Sequence, residues 1–105
     1  MKITLKELIQ INKAFGGTLI SDSSLKFAES YANTRSIYRQ AAIWARAIVV
    51  DHPFSDANKR TALYAIGKHI RIKDPVAMAQ VIGRIATKGT TGLKKIEEML
   101  KYANR

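Results

Sequence analysis

The chain has 105 residues, 47% of them apolar and 25% charged, which is room for one hydrophobic core and suits a single soluble domain spanning 1–105. It has no cysteine, so disulfides and cysteine-based zinc sites are excluded. The formal charge of +10 lies mostly in the C-terminal half: residues 1–56 carry seven Lys and Arg against five Asp and Glu, and residues 57–105 carry eleven against three. That balance favours an anionic partner, whether nucleotide phosphates, nucleic acid or an acidic protein, although a solvated surface needs no partner.

Nearly every segment reads as helix. Thr4–Glu7 is a capping box, followed by Leu5, Leu8, Ile9 and Phe15 at near-helical spacing. Gly16-Gly17 should end this helix, and Gly17-Thr18-Leu19-Ile20 is the one place for a short strand or hairpin. Ser21–Ser24 offers several N-caps for a second helix running from Leu25 to about Ala32. Asn33-Thr34 is expected to open a third, with Ile37, Ala41, Trp44, Ala45, Ile48 and Val49 as a buried stripe. Trp44 is read as core. Pro53 ends this helix near Asp51.

A fourth helix should start around Ala57 and turn Ala62, Leu63, Ile66 and Ile70 inward. Asp74-Pro75 is an N-cap followed by proline, starting a fifth helix through Ala79, Ile82 and Ile85 to about Thr87. After the turn Lys88–Gly92, Leu93, Ile96 and Leu100 mark a sixth. No apolar run approaches the roughly 18 residues of a membrane span, and Met1–Glu7 has no apolar stretch typical of a secretion signal. The expectation is an all-α bundle of about six helices in the cytoplasm.

The chemistry concentrates in His52-Pro53-Phe54-Ser55-Asp56-Ala57-Asn58-Lys59-Arg60-Thr61-Ala62-Leu63. A helix starting here turns unpaired N–H groups and the positive end of its dipole outward, an arrangement that binds phosphate. Lys59 and Arg60 add cations that oppose the dipole unless an anion arrives. Asp56 can hold Mg²⁺ through a carboxylate oxygen, or simply cap the helix. An imidazole titrates near pH 6.5 and can take a hydroxyl proton at neutral pH, which suits His52. Phe54 should plug into the core and anchor the loop. His69, in mid-helix, is read as structural.

This run resembles the signature loop of the Fic/Doc family, an all-helical fold, and most closely its Doc (death-on-curing) branch of toxins. Phe15-Gly16-Gly17 and the Ser21–Ala28 helix also look like the start of Doc-like proteins. The resemblance implies that His52 is the general base, that Asp56 holds Mg²⁺, that Ala57, Asn58 and Lys59 line a phosphate nest, and that Arg60 clamps a phosphate. It also makes Gly17, Thr18, Leu19 and Ile20 a short flap that positions the target. AMP-transferring Fic enzymes have glycines where Ala57 and Lys59 stand and a second arginine at the position of Leu63. With that departure, the resemblance to the Doc branch implies transfer of the γ-phosphate of ATP to a protein hydroxyl, with a translation factor such as elongation factor Tu as target. No Ser/Thr-x-x-x-Glu-Gly/Asn segment of the inhibitory kind occurs, so inhibition would fall to a separate, Phd-like antitoxin. The alternatives are AMP transfer and, further behind, a basic nucleic-acid-binding module using Lys88, Lys94, Lys95 and Lys101.

Overall fold

The computed structural model describes residues 3–32 and 36–105, and these form six helices: α1 (Leu5–Ala14), α2 (Ser23–Ala32), α3 (Ile37–Val49), α4 (Asn58–His69), α5 (Pro75–Lys88) and α6 (Leu93–Ala103). The all-α expectation holds. The expected start of the third helix at Asn33-Thr34 lies outside the described residues; Ser36 Oγ caps α3 by accepting from the N–H of Arg39. Thr4 caps α1 through Glu7 N–H, but the Glu7 carboxylate turns to α4, accepting from the Tyr64 hydroxyl at 2.6 Å and from Lys68 at 3.3 Å. Asp74 caps α5 as predicted, and Gly89 ends it at φ 63°, a left-handed conformation that glycine adopts without penalty.

The centre of the bundle is α3, packed against α2, α4, α5 and α6. Periodicity predicts one buried stripe, yet Ala41–Ala45 and Ala47–Val49 are all buried. A helix covered on every side buries its small residues too, and four alanines let neighbouring helices approach closely. Ile37 is the exception to the predicted stripe: at the first turn it lies beyond the covering helices and is 54% exposed. In α4, Leu63 is only half-buried, packed against the edge of the core. In α5 the inward position falls on Met78, leaving the expected Ala79 exposed. Trp44 and Phe54 are among the largest buried side chains, as expected.

Cross-helix polar ties complete the packing. The Leu5 N–H donates to Glu29 Oε2 at 2.7 Å, joining α1 to α2, and Ser24 Oγ donates to the Ala47 carbonyl at 3.1 Å, joining α2 to α3. Arg39 on α3 and Lys101 on α6 both pair with Glu97. Hydrogen bonds from Arg39 and then Lys101 hold the Glu97 carboxyl below its ordinary value, with burial pulling the other way. A depressed carboxylate stabilises the fold above the unfolded value near 4.5, and that contribution is lost as pH falls through the folded value. Glu97→Gln is therefore expected to lower the melting temperature at pH 7 and to flatten its decline below pH 4.5, as measured by thermal scans at pH 3–7. No helix among the described residues is long and apolar enough to cross a membrane.

Candidate functional site

The loop from α3 to α4 is shaped by two backbone exceptions. Among the described residues only His52 (φ 49°) and Ala57 (φ 60°) have positive φ without being glycine, and both lie in this loop. A left-handed L-residue costs about 1–2 kcal/mol, so neighbouring contacts have to hold it. Phe54, 2% exposed, fixes the middle of the loop in the core. Asn58 then closes a ring on it, its Oδ1 accepting from Phe54 N–H at 3.2 Å and its Nδ2 donating to the Phe54 carbonyl at 2.9 Å.

The segment after α1 pairs with the same loop. Leu19 and Phe54 form an isolated antiparallel bridge; Ile20 N–H donates to the Pro53 carbonyl at 2.7 Å, and Ser55 N–H to the Thr18 carbonyl at 2.8 Å. The predicted short strand thus finds its partner in the signature loop and not in a hairpin of its own. Gly17 is buried at its base, while Thr18, Leu19 and Ile20 are exposed. Beneath the loop lies Asn12, fully buried, donating to the Asp56 carbonyl at 2.9 Å and to Thr61 Oγ1 at 3.1 Å.

A cleft of about 520 Å³ opens over this loop, lined by Phe15, His52, Ser55 and the whole run Asp56–Arg60. Every polar residue singled out for the reaction borders this one space. Ala57 is the N-cap of α4 and makes no side-chain cap bond, so the first-turn N–H groups have no capping partner. Asp56 is consequently not the helix cap; its Oδ1 accepts from Ala57 N–H at 2.7 Å, and the residue borders the cleft. Arg60 stands over the Phe15 ring, its Cζ 5.4 Å from the centroid, which steers the guanidinium along the cleft wall. The Asn58 side chain is spent on Phe54, so this residue can offer an anion only its backbone N–H.

Residues 19–69 match the sequence model of the Fic/DOC family. This segment, just under half of the chain, is similar to the Fic/DOC family. No curated protein matches the chain, and no solved structure does. The matched segment holds Leu19, Ile20, α2 through α4 and the whole loop from His52 to Arg60; α1 with Asn12, and Phe15, Gly17 and Thr18 after it, precede the match. Proteins of the Fic/DOC family modify other proteins by transfer from a nucleotide.

The residues of the cleft fit such a ligand. An uncapped helix N-terminus flanked by Lys59 and Arg60 matches the charge of a polyphosphate. Among the described residues no three His, Cys, Asp or Glu side chains form a ready-made metal cage. A Mg²⁺ ion here would be held by Asp56 together with phosphate oxygens and water, the usual manner for this ion. His69 is structural: its Nδ1 donates to the Ala65 carbonyl at 2.8 Å, and burial pushes the ring below its ordinary value. Sequence reasoning missed Asn12, whose polar side chain on a helix carries no local sign of burial.

Proposed function

We propose that the protein is a Doc-like phosphotransferase that moves the γ-phosphate of ATP to a hydroxyl of a target protein. The observation carrying this reading is the single cleft bordered by an imidazole, a carboxylate, two cations and an uncapped helix start. Bound Mg–ATP supplies the electrophilic phosphorus and the ADP leaving group. His52 takes the proton of the attacking Ser, Thr or Tyr hydroxyl. Asp56 holds the metal, the first-turn N–H groups of α4 with Lys59 receive phosphate oxygens, and Arg60 clamps the charge that develops on transfer. The flap, Gly17–Ile20, lies beside His52 through its pairing with Pro53 and offers an exposed edge to the target.

Leu63 distinguishes the two kinds of transfer. It lies one helical turn beyond Lys59 and Arg60, half-buried against the core, so no cation stands there to receive a second phosphate group. That favours phosphate over AMP transfer. The target is taken to be a translation factor such as elongation factor Tu, and the brake a separate, Phd-like antitoxin, in a cytoplasmic setting.

A paired-label experiment separates the readings. The protein is incubated with cell lysate and ATP labelled at either the γ- or the α-phosphate. Label on a protein band from the γ-position alone is the expected result. Label from the α-position would establish AMP transfer instead, and no label from either would leave neither transfer standing. A salt-steep affinity for duplex DNA in that last case would favour the nucleic-acid module.

A further inference from the structure

We propose that Asn12, on α1 and ahead of the matched segment, is a positioning residue that sets the polarity of the phosphate-facing rim; this rests on the nucleotide reading of the cleft. Its amide nitrogen donates to the Asp56 carbonyl at 2.9 Å and to Thr61 Oγ1 at 3.1 Å. Thr61 passes the link on, its hydroxyl donating to the Ala57 carbonyl at 2.8 Å, where Thr61 N–H also lands at 2.9 Å. Ala57 is therefore gripped on both sides. The peptide plane before it ends in the Asp56 oxygen and the plane after it in the Ala57 oxygen, and the orientations of those two planes are its φ and ψ.

One neutral amide thus fixes the left-handed turn that starts α4. It also keeps the Asp56 carbonyl oxygen inside the protein, so that this peptide turns outward its N–H, which donates to Asp56 Oδ1, and not its oxygen. Turning that peptide over would place an oxygen lone pair where an anion is to sit. The choice of residue supports a role beyond packing. Asn12 Oδ1 is buried with no hydrogen-bond partner, a cost that a leucine of similar size would avoid. What the asparagine adds is a forked pair of donors without a buried charge.

The test uses Asn12→Leu, which keeps the bulk and deletes the donors, and Thr61→Val, which keeps the shape and deletes the second link. Carbon chemical shifts of Ala57 by NMR are expected to report the left-handed conformation in the wild type and to leave it in Asn12→Leu, and in part in Thr61→Val. Calorimetry is expected to show Mg–ATP binding at least tenfold weaker in Asn12→Leu. Adding Ala57→Gly, which adopts positive φ freely, should restore most of that affinity while the melting temperature stays at the Asn12→Leu value. Ala57 shifts unchanged in both variants would overturn the proposal, as would lost affinity that Ala57→Gly does not restore. If the wild type itself ignores Mg–ATP, the nucleotide reading falls, the claim about the rim falls with it, and the Ala57 shifts still show whether Asn12 holds the turn.

Discussion

Replacing His52 by alanine is expected to slow the proposed phosphate transfer by about 10²–10⁴-fold, the span that a positioned general base contributes. The expectation follows from placement. His52 borders the cleft next to the Asp56–Arg60 run, on the stretch of loop that the flap pairs with through Pro53. Its ring is exposed, so deleting it opens no cavity, and alanine meets the same positive φ without a new clash. Circular dichroism and melting should therefore match the wild type, and Mg–ATP should still bind, because the phosphate-facing groups are untouched. His52→Gln keeps a polar side chain that cannot take a proton, and should lose as much. Transfer at the wild-type rate in either variant would remove His52 from the chemistry.

Gly17→Ala is expected to be the most damaging small substitution in the chain. An added Cβ would sit 2.3 Å from Asn12 Oδ1 and 2.6 Å from the Asp56 carbonyl oxygen, with Asn12 Cγ at 2.9 Å. Two of these atoms belong to a buried, hydrogen-bonded amide and one to backbone, so none moves cheaply. Either the end of α1 backs away from the loop, or Asn12 turns and abandons Asp56 and Thr61. Overpacking costs about 1–3 kcal/mol, and a buried polar group deprived of its partner about as much again, giving roughly 2–5 kcal/mol together. For a domain of this size that lowers the melting temperature by about 10 °C or more. Gly16→Ala is the control. Its Cβ would meet nothing within 4 Å, so only the backbone penalty at φ 97° applies, and the loss should be clearly smaller. Equal melting of Gly17→Ala and the wild type would mean that the loop does not rest on this contact.

Much of the architecture is local, and local features are what a sequence displays. Thr4 and Asp74 accept from backbone N–H groups within three residues, so these caps can be read before the fold is known. The helix stop at Gly16-Gly17 and the break around Pro53 follow from backbone sterics in the same way. The site was legible for the same reason: His52 through Arg60 is one continuous run, and its neighbours in sequence are its neighbours in the cleft. Where periodicity erred, the cause was a partner it could not see. The burial of α3 on all sides depends on four other helices, and the exposure of Ile37 and Ala79 on where those helices end.

The amino-acid sequence by itself determined the six helices, the caps at Thr4 and Asp74 and the run from His52 to Arg60, because each depends on residues within about one turn of one another. Only the tertiary structure decided that the flap pairs with the signature loop, that Asn58 is turned back to Phe54, and that Asn12 reaches Asp56 from 44 residues away. Those contacts exist only once α1 lies against α4, since a buried hydrogen bond forms between groups that packing, not chain order, brings together.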